Sequence, residues 1–295
     1  MRRHSLRPQR TIVRPSEVRG VGFLTGAHVC LRFLPAPPSS GVVFVRADLP
    51  DAPRVPAHVA HVTGTQRRTT LGHPPTQVSL VEHVLAALAG LRIDNCLVEL
   101  NAPEPPGLDG SALGFVQALL TSGVQMQNAP RAVWYTEEPI TLRSGGATLT
   151  LHPPPADSDG RLDLTYFLDY GPKSPIIRQV HTQLLLPGPF AQNLAGCRTF
   201  LLASEAEELL RQGLGARTTT ADLLVFGPRG PIDNHLRFGN EPARHKVLDM
   251  IGDLSLLGAD LCGHVVAYRS GHPLNVEMVR VLEQRLAAAK TRQAA

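Results

Sequence analysis

Between Thr11 and about Pro75 the chain is built of short runs rich in β-branched and aromatic residues, each bounded by turn formers. TIVRPSEV, HVCLRFLPAP and GVVFVRADL are the clearest, and they predict antiparallel strands. The apolar spacing then shifts to threes and fours in SLVEHVLAALAGL (79–91). That spacing predicts a helix, with Ser79 as its N-cap and Gly90 near its end. IDNCLVEL (93–100) returns to a strand pattern, and DGSALGFVQALLTSG (109–123) predicts a second helix opened by its Asp-Gly-Ser turn.

Past Asn128 the same order recurs. WYTEEPITLRS, ATLTLHPPP, LDLTYFLDY and QVHTQLLL predict strands, and the segment 198–238 follows with no clear period. A helix is predicted over 241–258, with Pro242 in its first turn where the missing N–H costs nothing. A strand over 261–270 and a helix from His272 to about Ala289 complete the pattern. Residues 1–10 and the tail AAAKTRQAA read as loose ends. The repetition, together with the echo of EHVLAALAGL in RHKVLDMIGDLSLLG, predicts an internal duplication. We expect an α+β fold of two halves, 1–128 and 129–295, with a cleft between them suited to a ligand.

Composition narrows the function. Apolar residues make up 43% and charged residues 18%, as in a globular protein with a sizeable core. The net charge of +4 comes from scattered Lys and Arg rather than a basic stripe, which argues against nucleic acid as a partner. Cys30, Cys96, Cys197 and Cys262 lie far apart without a CxxC pair, so neither a zinc ribbon nor a disulfide framework is expected. MRRHSLRPQR lacks a following apolar stretch, and no run approaches membrane-span length. A cytoplasmic, monomeric protein without a transmembrane segment is the expectation.

The chemistry gathers in three places. In ARHKVLDMIGD (243–253), His245, Asp249 and Asp253 fall at i, i+4 and i+8 and share one face of an otherwise apolar helix. An imidazole and a carboxylate one turn apart can bind a metal ion; the same spacing also occurs on solvated faces. In the matching helix of the first half stands Glu82-His83, where a ligand and a base could sit side by side, or a core histidine beside a solvated glutamate. The duplication brings His83 toward His245. His272, in SGH at a strand-to-helix junction, is either an exposed cap or a cation restored by a carboxylate such as Asp253. His58 and His61 are three apart without a visible carboxylate partner.

Taken together, these pieces resemble the UDP-3-O-acyl-N-acetylglucosamine deacetylases of lipid A biosynthesis. The resemblance rests on VEHVLAALAGLRIDN (81–95), PEPPGLDGSALGFV (103–116), CRTF (197–200), RHKVLDMIGDLSLLG (244–258) and SGHPLN (270–275), in that order. It implies two sheet-and-helix halves with the helix layers packed at the centre. It also implies a catalytic Zn²⁺, with Fe²⁺ as the alternative, ligated by His83, His245 and Asp249. Glu82 becomes the general base and His272 the electrostatic stabiliser and acid, with Asp253 behind it. Thr199 would help hold the oxyanion, Phe200 would pack on the substrate, and Lys246 would meet its sugar-nucleotide part. The implied substrate is an acylated UDP-sugar.

Three departures stand out. GVGFLTG lacks the histidine usual in the family's opening turn, and Leu80 replaces a usual threonine. GARTTTADLLVFG (215–227) differs most, within the stretch of about 200–227 that would pass the acyl chain. A substrate-altered or non-catalytic relative binding a related nucleotide sugar is the competing expectation. The presence of Glu82 counts against it, since a structural metal site needs no base.

Overall fold

The fold is taken from a computed structural model that describes residues 1–294. Six helices are present among the described residues: α1 Glu82–Gly90, α2 Leu113–Ser122, α3 Pro187–Asn193, α4 Ala203–Arg211, α5 Glu241–Ser255 and α6 His272–Ala294. Two five-stranded sheets carry the repetition. The first contains Ser16–Val21, His28–Pro35, Val42–Arg46, Arg54–Pro56 and Cys96–Leu100; the second contains Ile140–Ser144, Ala147–His152, Leu162–Leu168, Gln179–Leu184 and Gly263–Tyr268. Numbered by position in the chain, both sheets have the spatial order first, second, fifth, third, fourth. In both, the fifth strand is antiparallel to the second and parallel to the third. An α+β fold with an internal duplication is what the periodicity predicted.

Each sheet buries one face. In His28–Pro35 the alternation turns Val29, Leu31 and Phe33 inward, and they join one continuous core with the helices. α2 packs on the first sheet, α5 and α6 pack on the second, and α1 meets α5 between them. Gly252 sets how closely those two helices approach. A Cβ there would collide with the Glu82 carbonyl, so a mid-helix glycine, intrinsically unfavourable, brings the start of α1 against the middle of α5.

Several boundaries differ from expectation. Residues 1–10 are not loose: Arg2–Ile12 is a strand, antiparallel to Val124–Tyr135, which in turn pairs with Asp260–Leu261. The expected joint near residue 129 therefore lies inside a strand. Arg7 explains the difference, because it is held by Asp94 and Asp260, which lie far off in sequence. Much of the tail expected to be loose continues α6. Ser79 does not cap α1; it sits in the short strand Val78–Ser79, its hydroxyl 3.0 Å from that of Thr70. Leu80, at φ +57°, turns the chain into the helix instead. The undefined stretch contains a small unit of its own, in which Phe200–Leu202 runs parallel to Leu224–Phe226 with α4 between them.

Candidate metal centre

The first turn of α1 and the middle of α5 bring three donors together. His83, His245 and Asp249 each offer an atom within 4.8 Å of the others. Asp249 Oδ1 lies 3.2 Å from His245 Nε2 and 3.5 Å from His83 Nε2. A tetrahedral ion with bonds of about 2.0–2.1 Å separates its ligands by roughly 3.3 Å, so the spacing fits. The supporting bonds fit too. His245 Nδ1 is 3.0 Å from the Cys197 carbonyl, which leaves Nε2 free as the donor atom. Lys246 donates to the other Asp249 oxygen at 2.9 Å. Burial opposes the Asp249 charge, but His245 and Lys246 outweigh it and hold the carboxyl well below its usual pKa. His83 keeps some exposure where the other two donors are buried, so the site opens on its side.

A second group flanks this one. Glu82 is buried, with Oε2 accepting the Thr69 N–H at 3.0 Å and Oε1 lying 3.9 Å from His272 Nε2. Burial raises the Glu82 pKa, while nearby His272 and His83 pull the other way. His272 Nδ1 is 2.8 Å from Asp253 Oδ2, which also accepts from Asn275 at 2.9 Å. Burial disfavours the imidazolium, yet the charge and hydrogen bond of Asp253, with Glu82 adding, push its pKa up to about 9. The shift favours the imidazolium of His272, which faces the Glu82 carboxylate at 3.9 Å.

Phe200 and Lys246 form one wall. The Phe200 ring lies 6.2 Å from that of His245 and 5.9 Å from that of Tyr170, and Lys246 Nζ stands 5.4 Å over it. Thr199 is held by its backbone, donating to the Gly110 carbonyl and accepting from Leu224 N–H. Its hydroxyl makes no hydrogen bond within the described residues.

The family model for UDP-3-O-acyl N-acetylglycosamine deacetylase (LpxC) matches residues 9–284. The chain belongs to this family. It is 38% identical to a UDP-3-O-acyl-N-acetylglucosamine deacetylase of Thermosynechococcus vestitus, with 94% of each chain covered. To the deacetylase of that name from Nostoc sp. it is 39% identical, covering 92% of this chain and 97% of that one. A bifunctional LpxC/FabZ enzyme of Chlorobaculum tepidum is 38% identical, and there the match covers 94% of this chain but only 64% of the relative's length.

Two of the stretches singled out in the sequence, the opening turn 20–26 and the segment 215–227, touch each other. The opening turn is tied down by Glu104, a buried carboxylate of the PEPPGLDG motif that accepts from the N–H groups of Leu24 and Thr25. These are backbone bonds, so this hold on the turn does not depend on the side chains of Leu24 and Thr25. Arg217 and Thr218 of the divergent segment bond the carbonyls of Gly26 and Phe23 in that same turn. The two stretches thus pack as one unit.

Thr69 escaped the sequence reading altogether. Beyond its N–H bond to Glu82, its hydroxyl donates to Asp253 at 2.6 Å and lies 3.3 Å from His272 Nδ1. It joins Glu82 to the imidazole–carboxylate pair, yet no spacing within RRTTLG marks it. Asn275 was visible in SGHPLN, but its partner Asp253 is 22 residues away. His58, for which the local sequence offers no carboxylate partner, meets Glu283 of α6 at 3.2 Å. Among the described residues no helix is long and apolar enough to cross a membrane.

Proposed function

We propose that this chain hydrolyses the N-acetyl group of a 3-O-acylated UDP-N-acetylglucosamine, releasing acetate and the free amine in the committed step of lipid A synthesis. The observation that carries the reading is the pairing of Glu82 with His272, 3.9 Å apart, beside the three-donor cluster. His83, His245 and Asp249 would hold Zn²⁺, or Fe²⁺, which accepts the same nitrogen and oxygen donors. Such an ion polarises the acetamide carbonyl and lowers the pKa of the attacking water. Glu82 takes the proton from that water; its raised pKa is the direction a base working near neutrality needs. The imidazolium of His272, kept charged by Asp253, stabilises the developing oxyanion and gives its proton to the departing amine. The free hydroxyl of Thr199 would bind that oxyanion, and Phe200 and Lys246 would offer the sugar nucleotide an aromatic face and a cation. The unit spanning about 200–227 would guide the acyl chain. The four unpaired cysteines accord with a cytoplasmic setting.

Acetate release from the acylated nucleotide sugar, measured on chelated and Zn²⁺-reloaded protein, tests the reading. Turnover that disappears with chelator and returns with metal is the expected result. Binding without turnover in the loaded protein would instead favour a non-catalytic relative.

The alkaline limb of kcat is expected near pH 9, because the His272 cation is lost as pH rises through its raised pKa. The same shift stabilises the folded state fully below the ordinary imidazole value, and that contribution fades as pH rises through about 9. Asp253→Asn removes the main charge behind the shift, so a pH–rate profile should show the limb displaced downward. A limb that stays in place would remove His272 from the role of acid.

A further inference from the structure

A cavity of about 610 Å³ opens between the two halves, lined by the C-terminal parts of α1 and α5. None of the metal-centre residues lines it, and Arg92 on its wall lies beyond the C-terminal end of α1, the helix that Glu82 begins. Its volume lies within the roughly 300–1,000 Å³ usual for small-ligand pockets. Leu85, Leu88, Leu162, Leu164, Ile251 and Leu254 make its floor apolar.

The charges on its wall are almost all matched. Arg7 and Arg131 bind Asp94 and Asp260, and Arg161 pairs with Asp159. His58 pairs with Glu283. Arg92 is left over: among the described residues its guanidinium donates no hydrogen bond and forms no ion pair. Burial presses its pKa downward, Asp260 opposes this, and Arg7 and Arg10 add to it. Asp94 and Asp260 act on it only at a distance, each already bonded to Arg7 and Arg131. A partly buried cation is thus left with no direct partner and gains from an anion that joins it.

The backbone at Arg92 makes the same point independently. The turn after α1 closes with Arg92 N–H on Ala89 and Ile93 N–H on Leu88, and Arg92 itself is left-handed at φ +55°. Glycine is the residue this helix-ending turn favours. The matching turn after α5 has one, Gly258 at φ +66°. At the left-handed position after α1 stands an arginine instead, unfavourable for the backbone, whose side chain lines the cavity.

We propose that this cavity binds a single-chain anionic amphiphile, with the alkyl chain on the leucine floor and the anionic head on Arg92. Charge complementarity selects the head and the apolar floor selects the chain. The head is a carboxylate or a phosphate monoester, both of which a guanidinium accepts through paired N–H bonds. Binding is read directly, so this inference stands or falls separately from deacetylation.

The test is calorimetric titration of the full-length, metal-loaded protein with decanoate and with decyl phosphate. Controls are 1-decanol, which lacks the charge, and acetate and inorganic phosphate, which lack the chain. One of the two amphiphiles should bind at a single site, with every control at least about tenfold weaker, the loss expected for one charge-assisted contact. The tighter of the two identifies the head group. Arg92→Gly should weaken binding about tenfold or more while leaving acetate release unchanged and Tm equal or higher, since glycine suits the turn. Arg92→Lys, which keeps the cation, should retain the chain-dependent binding. No binding of either amphiphile, equal binding of decanol, or full affinity in Arg92→Gly overturns the proposal.

Discussion

Glu82→Gln lowers kcat for acetate release by roughly a hundredfold to ten-thousandfold, the usual worth of a positioned general base, while metal content stays unchanged. The substitution keeps the shape of the side chain and removes only its ability to accept a proton. Glu82 is not one of the three donors: its oxygens face Thr69 and His272, with the Thr69 N–H holding one of them at 3.0 Å. Metal analysis of the purified variant beside its kinetics separates the two roles. Loss of metal in step with activity would make Glu82 a ligand, and activity within about tenfold of the parent would deny it the role of base.

His245→Ala is expected to lose metal and activity together. His245 is 1% exposed, its Nε2 faces Asp249, and its Nδ1 is committed to the Cys197 carbonyl. Removing it leaves one imidazole and one carboxylate for the ion. Loss of a residue that merely orients a ligand already weakens metal binding about tenfold to a hundredfold, so loss of a ligand should exceed that. Competition with a chelator of known affinity measures the change, and circular dichroism verifies that the helices remain. Full metal occupancy under the same chelator would exclude His245 from the ligand set.

The contrast between these variants follows from α1 and α5 meeting at Gly252. Both helices present polar residues at the contact, which an apolar pattern alone would place on a solvated face. His245, Asp249 and Asp253 were legible as a stripe because their spacing is local. Glu82 and His83 became legible through the repetition, which the shared strand order of the two sheets repeats in space. Thr69 was not legible, since its significance lies in bonds to Glu82 and Asp253, and Asp253 is 184 residues away.

The same distinction runs through the fold. Periodicity marked the buried alternation of His28–Pro35 and the helices on either side of Cys96–Leu100, since each segment's apolar spacing is a local property. Arg2–Ile12 carries few apolar residues, so hydropathy left it as a loose end. It is a strand because Arg7 meets two carboxylates and the chain finds a partner in Val124–Tyr135.

By itself, then, the sequence determined the elements whose apolar period is local, the duplication, and the stripe of His245, Asp249 and Asp253. The tertiary structure alone decided which carboxylate faces His272, that Thr69 joins Glu82 to the Asp253–His272 pair, and that Arg92 has no direct partner beside an apolar cavity. Those facts depend on electrostatic and hydrogen-bond partners brought together from distant positions, and residue spacing along a chain does not encode which distant groups will meet.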